Sequence, residues 1–257
     1  MKKLKGFSVA GVIVGVIVVV LIAIGAYMVI DGNNKATNYN DYDFYSIIEP
    51  TKDNGNIGDH IKGDKDAPVV IFEYADYQCS GCASYNPRVN EVIKELDGKL
   101  AVVYRSFLLS YHQNATAAAS AAEAAGLQGY WKEYADKLFE EQSEWFYATG
   151  STRTEYFNKY FADVTNGKGD LEKFNADIKS EAVSKKISFD MGIGKRVDVA
   201  GTPAFYIDGQ FIDWADNDEN GTGSVTVNGK TVTWEGAQTG DKFIKLIKEI
   251  VAAKLGE

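Results

Sequence analysis

The sequence predicts an α/β domain behind one membrane-spanning helix, and three observations predict it. A stretch without charge runs from Gly6 to Ile30, dominated by Val, Ile, Leu, Ala and Gly. Val69 to Tyr74 is a short, nearly continuous apolar run bounded by Pro68 and Asp76, the pattern of a central strand covered on both faces. After it, Val89, Val92, Ile93 and Leu96 recur at helical spacing until Asp97-Gly98, and Leu100 to Phe107 reads as a second strand. Strand, helix and strand in this order make a βαβ unit.

In chain order, the first element is the apolar stretch. At ~1.5 Å rise per residue it is long enough for the ~30 Å hydrocarbon layer. A secretory leader has an apolar region of only ~7–15 residues followed by a small-residue cleavage site. Ile24-Gly25-Ala26 is a poor version of that site, which favours an uncleaved anchor over residues 1–30 and leaves a cleaved leader as the alternative. Lys2, Lys3 and Lys5 place the N-terminus in the cytoplasm and the rest of the chain outside, as a single-pass protein of the cell membrane. Residues 31–56, rich in Asn, Asp and Gly, suit an extracytoplasmic linker to a domain over 57–257. Beyond the anchor 24 basic residues face 36 acidic ones, a net charge of −12. That balance argues against nucleic acid and anionic lipid as partners.

The chain's only two cysteines, Cys79 and Cys82, enclose Ser80 and Gly81 where the first strand gives way to the helix. The start of a helix stabilises a negative sulfur through unpaired N–H groups and the helix dipole. The thiolate is the attacking species in disulfide exchange, so Cys79 is the candidate nucleophile and Cys82, a turn further in, the candidate resolving thiol. A structural bridge over a two-residue loop stabilises little. Structural zinc takes four ligands, and His60 and His112 show no ligand spacing. No bound cofactor or metal is expected. Glu73 ends an otherwise apolar strand: either it is a buried acid that handles the proton of Cys82, or the strand simply reaches water there.

Residues 112–195 read as mostly helical, with Ala117 to Ala125 as strong helix formers followed by an aromatic face of Tyr130, Trp131, Tyr134 and Phe139. Gly201-Thr202-Pro203 precedes the β-prone run Ala204 to Ile207, an extended-to-turn signal. VTVNGKTVTW alternates about Asn228-Gly229 as a hairpin does, and an added hairpin over about 213–237 covering a sheet edge is expected. A helix from about Asp241 to Leu255 closes the chain.

Together these residues resemble a family, the DsbA-like extracytoplasmic thiol–disulfide oxidoreductases of thioredoxin fold. The likeness is carried by GDKDAPVVIFEYADYQCSGC with its acid six residues before the nucleophile, the helical stretch from Tyr111, VAGTPAFYIDGQFI, and the last helix. It implies a thioredoxin-like fold with a helical insertion over about 112–195, and a cis bond before Pro203. It also implies that the Thr202 backbone meets an unfolded substrate strand while Pro203 packs beside the sulfurs. Ser80 stands where family members often carry proline.

The expected function is dithiol/disulfide exchange with unfolded or reduced exported proteins. Net oxidation is favoured, reduction or isomerisation is the alternative, and a binding protein or chaperone with a static disulfide is the rival of another class. A membrane redox partner that regenerates the active state, and a monomeric chain, complete the expectation.

Overall fold

Strand parity decides which residues can meet the cysteines. The computed structural model describes residues 37–213 and 221–257. The expected anchor over 1–30, the first residues of the expected linker and the chain from 214 to 220 lie outside the described residues. Among the described residues no helix is long and apolar enough to cross a membrane.

Five strands form the main sheet in the order β1 (His60–Gly63), β3 (Leu100–Ser106), β2 (Val69–Ala75), β4 (Ala204–Ile207) and β5 (Gln210–Ile212). The β2–β3 pair is parallel and the others are antiparallel. A parallel pair needs a crossover, and α1 (Ser80–Glu95) supplies it. Side chains alternate across a strand. Val69 and Ile71 thus pack under α1 with Val89, Val92, Phe205 and Ile207, while Phe72 and Tyr74 face the opposite side with Phe189, Ala204 and Tyr206. Glu73 has the parity of Ile71 and so falls on the α1 side, at the end nearest the cysteines.

Six helices join β3 to β4: α2 (Ala115–Gly126), α3 (Trp131–Glu140), α4 (Gln142–Trp145), α5 (Gly150–Val164), α6 (Leu171–Asp177) and α7 (Glu181–Arg196). The alanines of α2 are almost all buried, and their small side chains let Tyr134, Trp145, Tyr160, Phe161 and Phe174 close in around them. Stacking of Phe161 on Phe174, with centroids 4.2 Å apart, fixes two of these helices to each other.

The C-terminal part is β6 (Thr222–Val227), β7 (Lys230–Glu235) and α8 (Asp241–Leu255). Asn228 and Gly229 both have positive φ, 49° and 73°, as the two-residue turn requires. Val225, Val227 and Trp234 bury one face of the hairpin against α8. The Gln210 side chain exchanges two hydrogen bonds with the backbone of Thr226, so the hairpin flanks the β5 edge. Among the described residues its first strand begins at Thr222; 214–220 of the expected 213–237 lie outside them.

From Tyr39 on, the segment expected as linker is instead an arm packed on the folded unit. Arg105, at the end of β3, explains why. Its guanidinium donates to the carbonyls of Phe44 (2.5 Å) and Ser46 (2.9 Å) and makes a two-pronged contact with Asp59 at 3.2 and 2.7 Å. Lys186 reaches Asp59 at 3.4 Å and Asp190 at 2.7 Å. All four charged side chains are buried.

Candidate active site

Cys79 is the N-cap of α1, with an extended backbone (φ −75°, ψ 122°), and its own N–H donates to Asp76 O at 3.0 Å. The next N–H groups have no carbonyl one turn back, so those of Gly81 and Cys82 are left for the sulfur. Cys79 is 8% exposed and Cys82 is fully buried behind it; both are free thiols. The Cys79 thiol is held down at about 5, first by the hydrogen bond from Cys82, then by the Thr202 hydroxyl and the backbone N–H groups of Cys82 and Gly81, against the opposing effect of burial. Burial pushes Cys82 well above the ordinary thiol range, and its bond to Cys79 and the charge there push it further. One sulfur is therefore ionised at neutral pH and its neighbour keeps its proton.

Thr202 presents two groups to Cys79. Its carbonyl accepts the thiol hydrogen at 3.2 Å. Its hydroxyl is buried with no hydrogen-bond partner among the described residues, so it is available to donate once the thiol has lost its proton. The Thr202–Pro203 peptide bond is cis, as the resemblance implies. A Cβ placed on Gly81 would stand 3.2 Å from Pro203 Cδ and 3.5 Å from Cys79 Sγ, which shows how closely the cis-proline loop approaches the dipeptide between the thiols. Ser80 is exposed beside it. Thr202 and Pro203 also line an open cleft of about 690 Å³ with Tyr45, Arg196 and Phe211.

Glu73 is buried (2% exposed), and desolvation raises its carboxyl to about 7, with Lys62 pulling it back and Asp136 pushing it up. Its charge contributes to the upward shift of Cys82. The alternative of a strand end reaching water is set aside. Cys79, Cys82, Glu73, Ser80, Gly81, Thr202 and Pro203 thus lie in one neighbourhood. Of the two histidines, His60 Nε2 meets Glu123 at 2.7 Å, and His112 Nδ1 meets Asp76, in the loop before Cys79, at 2.8 Å.

Several residues that hold the site were not among those expected. The buried Asp76 carboxylate accepts from the N–H groups of Gln78 (2.8 Å) and Leu109 (2.9 Å) as well as from His112, and so shapes the loop before Cys79. Gln142 of α4 donates to Tyr77 O at 2.7 Å and Cys79 O at 3.0 Å, which makes the insertion a buttress of the cysteine loop. Lys62 and Asp136 flank Glu73, as described below. Asp76, three residues before the nucleophile, carried a local signal as an acid closing an apolar strand. Gln142, Lys62 and Asp136 carried none.

Comparison with known proteins places the fold. A stretch of 165 residues, 63% of this chain, is 32% identical to the Na(+)/H(+) antiporter NhaA 1 of Mycolicibacterium vanbaalenii, and it spans about a quarter (24%) of that relative's length. Among solved structures, alpha-DsbA1 of Wolbachia pipientis has a TM-score of 0.55 at 22% identity, over 77% of this chain and 93% of that one. Oxidised BdbD from Bacillus subtilis has a TM-score of 0.52 at 17% identity, over 83% and 99%. At such identities the likeness is one of fold. The family model described as thioredoxin matches residues 55–225, which hold both cysteines, the cis-proline and all five strands of the main sheet, and the chain belongs to that family.

Proposed function

We propose that this chain is a thiol–disulfide oxidoreductase acting on exported proteins through Cys79 and Cys82, with net oxidation of its substrates. The observation that carries the reading is the unequal pair: a thiol held at about 5 on a helix N-cap, backed by a fully buried partner pushed the other way. In the oxidising direction a substrate thiolate attacks Cys79 Sγ of the enzyme disulfide, and the Cys79–Cys82 bond breaks. Cys82 leaves with the electron pair and takes the proton of Glu73. The substrate's second thiolate then attacks the substrate sulfur of the mixed disulfide, and Cys79 leaves as thiolate. The substrate dithiol has become a disulfide and the enzyme a dithiol. A leaving thiol of low pKa favours this last step. Thr202 offers its backbone to the incoming extended chain beside Pro203.

The remaining assignments belong to the same proposal: an uncleaved anchor at residues 1–30, the catalytic domain outside the cell membrane, a monomer, and a membrane redox partner that reoxidises the pair. Reduction by the same chemistry run backwards is the second reading. Equilibration against glutathione with thiol trapping decides between them. We expect a potential on the order of −130 to −220 mV, with Cys79 alkylated at mildly acidic pH while Cys82 stays slow. A value near thioredoxin's ~−270 mV would reverse the direction, and equal alkylation of the two thiols would remove the mechanism.

A further inference from the structure

Lys62, on β1, has a side chain only 1% exposed. Its ammonium donates to Asp136 Oδ1 at 2.8 Å and to Asn86 Oδ1. Asn86 and Asn90 lie one turn apart on α1, the helix that Cys79 heads, and both donate to that same Asp136 oxygen at 3.0 Å. Lys132 takes the other oxygen at 3.1 Å. Asp136 comes from α3, inside the insertion, so β1, α1 and the insertion are tied at one carboxylate.

Lys62 stands opposite Val102 across the β1–β3 pair and Val102 opposite Ile71 across the β3–β2 pair, so Lys62, Ile71 and Glu73 share one face of the sheet. Of the groups that bear on Glu73, Lys62 comes from β1, Cys82 from α1, Tyr104 from β3 directly alongside in the sheet, and Asp136 from α3. Lys62 is the one cation among them, and its hydrogen bonds go to Asp136 and Asn86.

We propose that Asp136 is a positioning residue for the redox pair: by engaging Lys62 it keeps the ammonium from closing on Glu73, and so leaves Glu73 free to exchange a proton with Cys82. An ammonium bonded to Glu73 would fix it as a carboxylate, and a fixed carboxylate has no proton for the departing Cys82 sulfur. The helical insertion thereby sets the acid–base behaviour of the site through one charge. This inference rests on the oxidoreductase reading above.

The test is Asp136→Asn, a change at a partly exposed side chain that keeps its shape while removing its charge. In the full-length reduced protein, the Glu73 carboxyl is followed by NMR as pH is varied. We expect its midpoint to fall by about one unit, a tenfold change in the protonated fraction above both midpoints. The pH profile of the step in which Cys82 displaces glutathione from Cys79 moves the same way, and Asp136→Glu restores both. Loss of the Asp136 charge by itself lowers the midpoint, so the deciding arm is a Lys62→Met background, in which the Asp136→Asn shift shrinks; an undiminished shift there overturns the proposal. A merely structural Asp136 would lower the melting temperature and leave the Glu73 midpoint where it was, and that result overturns the proposal. The carboxyl titration needs no turnover. Absence of any exchange with glutathione in the unaltered protein would instead overturn the oxidoreductase reading.

Discussion

Two charge clusters lie on opposite faces of the sheet, and they differ in how many buried cations they hold. Around Arg105 there are two cations and two acids, each within hydrogen-bonding or ion-pair reach of an opposite charge. Around Glu73 there are two acids, one buried cation, Lys62, bonded to Asp136, and the exposed Lys132 on the other Asp136 oxygen. In the first cluster burial pushes Asp59 up, but Lys186 and then Arg105 bring it below the ordinary carboxylate range, whereas burial still raises Asp190 to about 6 beside Lys186. The second cluster leaves a carboxyl at about 7, where protons move at physiological pH. Burial alone thus does not make a site. What distinguishes Glu73 is the Cys82 thiol beside it, with the nearest buried cation bonded to another acid.

The comparison breaks most visibly at Arg105. Arg105→Ala leaves Asp59 with a single cation and removes the donors that hold Phe44 O and Ser46 O, and a loss of about 3–5 kcal/mol is expected. Urea denaturation measures it, and a loss no larger than that of a surface ion pair would mean that the Arg105 cluster does not hold the fold.

Glu73→Gln tests the other cluster through pH. The folded carboxyl, at about 7, lies above the ordinary value of 4.5, so the folded state binds the extra proton. The stability this contributes is fully present below 4.5 and is lost as pH rises through about 7. Over that interval the loss is about 3 kcal/mol. The glutamine variant should not show it, and parallel stability–pH curves for the two proteins would deny Glu73 its raised titration.

The smallest effect sharpens the contrast by adding a charge at the outer end of the site. Gly81→His places a cation beside the Cys79 thiolate and should raise the reduction potential on the order of 30 mV, equivalent to about 1.4 kcal/mol. The 3.2 Å approach of a Cβ to Pro203 Cδ calls for only a slight shift of the ring. Redox titration reads the change, and a fall in potential would contradict it.

The candidate thiols were legible in the sequence, and what holds them was not. Cys79 and Cys82 sit in one short motif whose helix position follows from the strand before it and the apolar spacing after it. The last helix runs from Asp241 to Leu255 as expected, and β2 and β3 lie within one residue of their expected ends. Thr202 meets Cys79 across 123 residues, and only the family resemblance bridged that gap. Lys62 and Asp136 are 74 residues apart, and Lys186 and Asp59 are 127 apart. A buried ion pair leaves no periodicity behind, because each partner satisfies the other wherever the chain places it. The arm was misread for the same reason. Its Asn, Asp and Gly content is that of a solvated linker, while what binds it is a distant guanidinium acting on backbone carbonyls, which every residue has.

That guanidinium also settles where a shortened version of this protein could begin. The family match starts at residue 55, whereas Phe44 and Ser46 lie upstream of it. A chain trimmed to the matched region would keep Asp59 and lose both carbonyls that Arg105, fully buried in the intact protein, donates to. Each unmet donor costs about 1–3 kcal/mol. The evolutionary module and the cooperative folding unit are therefore different lengths of chain, and the difference is the arm.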